Sequence, residues 1–280
     1  MACYRFFNNK INANMEVEHI LTTENESQSY SSCGCGSGGC GSHHHSDYQS
    51  DIDIEAQGSF QLLQEGDRVL DLGCGTGTDS LEIARIIGLK GKVIGIDHSD
   101  ENIRIARERT DKTDISNVEF RLGSIDNIPV ANECADVVFV NCVFNLQADR
   151  QKVADEIYRV CDHNGYVCVS DFVVLRDIPD SLRTEAAELM GCIGGAENVK
   201  TFMSYFQKTG FTQGGIVEVN KVKLPEEMLS RHLNPGMVKS YQDIDSDDGI
   251  FKVVLVVEKP ESCSPDTCCC NPQKSVITHS

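Results

Sequence analysis

Three glycines stand within five residues in Asp71-Leu-Gly-Cys-Gly-Thr-Gly77, directly behind an acid, at the end of an apolar run and ahead of a helical pattern. A glycine-rich turn in that context lets a ligand approach the backbone closely. The spacing Gly-x-Gly-x-Gly differs from the Gly-x-Gly-x-x-Gly of dinucleotide sites, which argues against a pyrophosphate ligand. A second acid, Asp97, ends the next apolar run, where a carboxylate is placed to accept both hydroxyls of a ribose. Two thiols carry the other chemistry: Cys142 in Asn141-Cys-Val-Phe-Asn-Leu146 and Cys192 in Gly191-Cys-Ile-Gly-Gly-Ala196. Taken alone, each reads as a small buried hydrophobe, the ordinary state of a free cysteine. Brought to one place, they would be a pair of soft ligands for a soft centre.

Elements that position these residues are legible from the alternation of β-rich and helical runs. Residues 68–72, 92–97, 118–122, 136–140 and 166–171 read as strands, and 80–87, 101–109 and 150–160 read as helices between them. Strands alternating with helical patterns predict parallel strands joined by crossover helices. Past residue 171 the alternation loosens into helices over 182–190 and 199–208, an acidic loop at 243–248 and a late strand at 250–257. The carboxyl edge of such a sheet is where ligands bind, and Asp71, Asp97 and Cys142 all fall at strand ends on that edge.

The chain has 280 residues, ample for a sizeable core, with 43 acids against 25 bases and a formal charge of −18. That balance disfavours partners held by phosphate neutralisation, so neither nucleic acid nor an anionic membrane surface is expected. No apolar stretch approaches the length of a membrane span, the polar opening supplies no secretion signal, and the expected address is the cytoplasm. Fourteen cysteines are too many for disulfide stapling in a reducing compartment. Cys33, Cys35 and Cys40 lie in a Gly/Ser-rich run ending in His43-His44-His45, and Cys263, Cys268, Cys269 and Cys270 lie in the tail. Both runs lack periodicity and read as flexible. The histidine run lacks the paired spacing of a structural zinc site, and Cys134, Cys161 and Cys168 read as core residues.

Strand, Asp-x-Gly-x-Gly-x-Gly turn, helix, then an acid closing the second strand resembles the class I S-adenosylmethionine-dependent methyltransferases over about residues 60–175. The resemblance implies a Rossmann-like α/β fold, a mostly parallel sheet flanked by helices, with a small C-terminal substrate-side region and flexible Cys-rich termini. It divides the chain into an N-terminal arm (1–58), a cofactor-binding core (59–175), substrate-side helices with sheet completion (176–260) and a tail (261–280). It further implies that Gly73, Gly75 and Gly77 make room for the methionine part of S-adenosylmethionine, that Asp71 favours its ammonium and that Asp97 holds its ribose. Ser124 and Ile125, in the Gly123-Ser-Ile-Asp126 word after the third strand, are the candidates to meet its adenine.

The words around Cys142 and Cys192 are similar, in the same order, to those around two arsenic-binding cysteines of the arsenite methyltransferases, a resemblance extending to about Phe211. It implies As(III) at Cys142 and Cys192, methylated through its own lone pair. The implied partners are a small arsenical, free or as a glutathione conjugate, and an external thiol reductant, thioredoxin or glutathione. Many members carry a third arsenic-binding cysteine in a Gly-Cys-Gly word shortly before the first strand; here Ala56-Gln-Gly58 stands in that region. Cys40, in Gly39-Cys-Gly41, is the nearest thiol with matching wording. The third position then falls to Cys40 folding back, to an external thiol, or to a methyl group already on the arsenic.

Overall fold

A computed structural model describes residues 60–211 and 213–261 of the chain. Four strands, β1 (Arg68–Leu72), β2 (Lys92–Asp97), β3 (Val118–Leu122) and β4 (Ala135–Asn141), pair in parallel, and β4 pairs in parallel with the long β5 (Cys161–Val174). The crossovers carry α1 (Thr78–Ile87), α2 (Asp100–Thr110) and α3 (Arg150–Val160). Along the sheet the order is β3-β2-β1-β4-β5, so the winding reverses direction between β1 and β4. That reversal opens a crevice at the carboxyl ends of β1 and β4, the place where open α/β sheets bind ligands.

Alternation within each strand feeds two apolar layers. In β4, Val138 and Val140 join Leu70, Leu72, Val153, Ile157, Phe202 and Phe206 on one face, while Val137 and Phe139 join Val69, Ile83, Ile87 and Val93 on the other. Helix starts are set locally: Ser99 accepts from the Asn102 amide at 3.3 Å to cap α2, and Asp149 accepts from the Lys152 amide at 3.0 Å to cap α3.

Beyond β5 the chain builds α4 (Asp180–Leu189), the two-residue β6 (Glu197–Asn198), α5 (Val199–Thr209), β7 (Gln213–Lys221), α6 (Glu226–His232), α7 (Pro235–Gln242) and β8 (Ile250–Glu258). β8 lies antiparallel against β5 and β7 antiparallel against β8, completing the sheet. β7 was not expected from the sequence, because Gly214 and Gly215 interrupt its alternation; Gly214 is needed where its backbone runs against Val256. Helices α4, α6 and α7 close over Phe172 and Val174 as a separate apolar cluster that includes Cys192. No helix among the described residues is long and apolar enough to cross a membrane.

A 3-10 turn at Phe144–Leu146 joins the crevice to this framework. Phe144 is fully buried, its ring 5.6 Å from Phe202, 5.9 Å from Tyr205 and 5.1 Å from Phe206, so α5 anchors the loop that follows β4. Phe144→Ala should therefore lower unfolding free energy by about 3–5 kcal/mol, measured by urea denaturation.

Candidate active site

The turn from β1 into α1 passes through left-handed backbone at Gly75 (φ 53°) and Gly77 (φ 81°). A Cβ on Gly77 would lie 2.6 Å from Phe120 Cζ, so only glycine lets α1 start against β3. A Cβ on Gly75 would meet nothing within 4 Å, which leaves one side of the turn open as a cradle. Gly73 fits tightly for a different reason: a Cβ there would lie 2.8 Å from Val143 Cγ1. The loop after β4 thus packs directly against the glycine turn.

Hydrogen bonds tie this turn to the end of β2. The amides of Gly73 and Cys74 donate to the Ile96 carbonyl at 2.7 and 3.1 Å, and the Gly75 amide donates to Asp97 Oδ2 at 2.9 Å. Asp97 Oδ1 accepts from the Ser99 amide at 2.8 Å and from Asn102 Nδ2 at 3.2 Å. Its carboxylate is held in one orientation beside the open side of Gly75, with a lone pair to spare on Oδ2. Cys74 is buried against Ile103, Ala106 and Phe120 and acts as a small apolar residue; burial pushes its thiol well above the usual range.

Asp71 sits lower, 3% exposed, accepting from the Ser80 hydroxyl. It lines a cavity of about 10 Å³ with Asp79, Asn141 and Ser170. Among the described residues, Asn141 Oδ1 and Ser170 Oγ are buried there without a hydrogen-bond partner, so the cavity offers polar atoms to a group no larger than a water molecule. Burial, then the neighbouring Asp79 and Asp97 charges, pushes the Asp71 carboxyl up to about 7.

At the end of β4, Cys142 adopts φ 54°, an uncommon conformation for a residue with a side chain, and its amide donates to the Ser170 carbonyl at 2.8 Å. Such backbone concentrates at functional sites. Cys192 lies in the 3-10 turn Gly191–Gly195 after α4. The two thiols are free and share one apolar cluster, Cys192 within it and Cys142 packed at its margin, brought together from distant parts of the chain. Interaction with Cys142, followed by burial, raises the Cys192 thiol above its ordinary range, and the nearby Asp171 charge adds to this.

Other expected residues fall elsewhere. Ser124 is exposed and its hydroxyl donates to Asp126 Oδ1 at 2.5 Å. The Ile125 side chain points into the core with Leu72, Ile96 and Ile128. Cys161 and Cys168 are buried in the core and Cys134 packs at its margin. Cys40, the other arm thiols, His43-His44-His45 and the tail cysteines lie outside the described residues. Among the described residues no third histidine, cysteine or acid joins the thiol pair in a metal-binding group.

The sequence did not single out Asn145, Arg150 or Asp171 for the site. Asp171 is fully buried; its oxygens accept from the amides of Asn145 and Phe172, both at 2.9 Å. Burial pushes its carboxyl up to about 7 despite those donors and the Lys252 and Arg150 charges. The available signal was an acid closing the expected strand 166–171, the same signal that marked Asp97, although the observed β5 continues past it to Val174.

A raised carboxyl pKa makes stability fall as pH rises, because the unfolded chain releases the proton first. For Asp71 the window runs from its ordinary 3.8 to about 7. Asp71→Asn should flatten the decline of unfolding free energy across that interval, seen in denaturant midpoints measured as a pH series.

Comparison with known proteins agrees with this geometry. The model of a methyltransferase domain family matches residues 63–210, more than half of the chain. An arsenite methyltransferase of Halobacterium salinarum is 42% identical over 153 residues, covering 55% of this chain and 39% of that protein. The human arsenite methyltransferase is 34% identical over 172 residues, covering 58% of this chain and 46% of its own length. The match thus spans less than half the length of either relative. The crystal structure of an arsenic(III) S-adenosylmethionine methyltransferase from Chlamydomonas reinhardtii superposes with a TM-score of 0.57 at 27% identity, covering 70% of this chain and 64% of that one. With its glycine turn, its sheet order and this family match over residues 63–210, the chain belongs to the methyltransferase-domain family.

Proposed function

We propose that this chain transfers a methyl group from S-adenosylmethionine to trivalent arsenic held by Cys142 and Cys192. The observation that carries the reading is that the Cys142 and Cys192 loops touch at Asn145 and Gly195, with both thiols in one apolar cluster and the Cys142 loop packed against the glycine turn. The similarity to arsenite methyltransferases supports it.

The open cradle at Gly75 and the fixed carboxylate of Asp97 fit S-adenosylmethionine, with Asp97 toward the ribose, Asp71 toward the ammonium, and Ser124 and the Ile125 backbone toward the adenine. When bound, this cofactor supplies an electrophilic methyl group on a sulfonium that is a good leaving group. The chain's own contribution is to bind and orient the nucleophile beside it.

Each thiol takes one hydroxyl of arsenous acid: an S–As bond forms, an As–O bond breaks, and the thiol proton leaves with the hydroxyl as water. A raised Cys192 thiol is no obstacle, since its proton leaves with the arsenic-bound hydroxyl as neutral water while the sulfur stays on arsenic. Soft sulfur selects the soft metalloid and leaves the arsenic lone pair free, so no general base is required. The third position on arsenic is filled by Cys40, by an external thiol such as glutathione, or by a methyl group already present. Thioredoxin or glutathione then supplies the electrons that return an oxidised product to the trivalent state. The reaction suits a reducing, cytoplasmic setting and a detoxifying role.

The deciding experiment is methyl transfer from labelled S-adenosylmethionine to arsenite with a thiol reductant, the arsenic products being separated by chromatography. Methylated arsenic is expected; cofactor binding with no such product would redirect the reading to another small-molecule acceptor. Cys142→Ser and Cys192→Ser should each reduce arsenite methylation by about a hundredfold or more while leaving cofactor affinity within about twofold of wild type. Full activity in both variants would refute the thiol assignment.

A further inference from the structure

The two thiols sit on separate loops, and one cation joins those loops. Arg150, at the start of α3 and with a side chain only 12% exposed, donates through one Nη2 to the Asn145 carbonyl at 2.8 Å and to the Gly195 carbonyl at 2.9 Å. Asn145 is three residues beyond Cys142, and Gly195 is three beyond Cys192. The other guanidinium nitrogen, Nη1, pairs with Glu197 at 2.5 Å, immediately past the second turn. The loops touch at that point: a Cβ on Gly195 would overlap the Asn145 carbonyl and lie 2.7 Å from Arg150 Nη2. Asn145 is fixed on its other side as well, its amide donating to Asp171 at 2.9 Å and its Nδ2 to the Phe172 carbonyl at 2.7 Å.

From this geometry we propose that Arg150 is the positioning residue of the thiol pair, a clamp that holds the Cys142 and Cys192 loops at the separation a two-thiol ligand needs. The proposal deepens the arsenical reading above and rests on it for the identity of the ligand. The guanidinium suits the task because its planar fork reaches two carbonyls and a carboxylate at once, whereas an ammonium is a point donor on a flexible stem. Loss of the fork frees the Gly191–Gly195 turn relative to the β4 loop without touching the glycine turn or Asp97. Thiol pairing should suffer and cofactor binding should not.

The test uses the full chain with Arg150→Met, Arg150→Lys and Glu197→Gln. Phenylarsine oxide, a trivalent arsenical that takes two thiols, serves as the probe by calorimetric titration, with S-adenosylmethionine titrated in parallel. Residues that orient ligating groups typically contribute 10- to 100-fold to affinity, so Arg150→Met should weaken the arsenical by about that range. Arg150→Lys should recover part of the loss, and Glu197→Gln, which spares both carbonyl bonds, should cost the least. Cofactor affinity should stay within about twofold throughout.

A second readout does not depend on arsenic. Diamide oxidises a close dithiol, the two sulfurs forming a disulfide as two electrons and two protons pass to the diazene, and peptide mass spectrometry follows the Cys142–Cys192 product. The rate should fall in Arg150→Met and be partly restored in Arg150→Lys. If wild type forms the disulfide quickly but ignores the arsenical, the ligand assignment fails while the clamp stands. An unchanged disulfide rate and arsenical affinity in Arg150→Met would overturn the clamp, as would an equal fall in cofactor affinity in Arg150→Lys and Glu197→Gln.

Discussion

Strands covered on both faces leave their polar chemistry only one way out, at their ends, and this constraint governs the molecule. β1 and β4 are buried between α1 on one side and α3 with α5 on the other. Their side chains are committed to the core through Leu72 and Val140. The first residues free to do anything else are those of the glycine turn and of the loop beginning at Cys142. Because the winding reverses between these two strands, the two loops turn away from one another and leave a crevice, and Val143 against Gly73 keeps its walls in contact.

Three buried acids near that edge have the same covalent chemistry but different surroundings. Asp97 accepts two amides and a side-chain amide, so its orientation is fixed where it stands. Asp71 has one hydroxyl and two acidic neighbours, and is raised. Asp171 accepts two amides yet is raised by complete burial. The contrast separates tasks: Asp97 is a fixed acceptor, Asp71 a carboxyl that a cation would ionise, and Asp171 an internal anchor for the loop carrying Cys142. Desolvation decides the second and third cases, because a carboxylate deprived of water gains less from one or two donors than it loses.

Much of this was legible in the order of residues. The bounds of β1, β2, β3 and α3 follow from local alternation and capping, and the glycine turn announces itself because strand, close turn and helix must succeed one another within a few residues. β5 runs longer than its apolar stretch suggests, through Cys161–Val174: pairing with β8 sustains it from Tyr166 to Val174, and before that Asn164 and Gly165 exchange backbone hydrogen bonds with Lys259. Ile125 illustrates the opposite limit: its position in the chain is next to the crevice, and only the packing of Leu72 and Ile96 shows that its side chain turns inward.

By itself the sequence determined the alternation of elements, the turn that admits a ligand to the backbone, the acid that ends β2 and the presence of two thiols in distinctive surroundings. These are properties of neighbouring residues, and short-range sterics and periodicity encode them. Only the tertiary structure decided that the Cys142 and Cys192 loops meet, that Arg150 bridges them through Asn145 and Gly195, and that β7 completes the sheet. Those contacts join residues far apart along the chain, and their formation depends on strand order and on the packing of α3, α4 and α5 around the sheet, which no local pattern records.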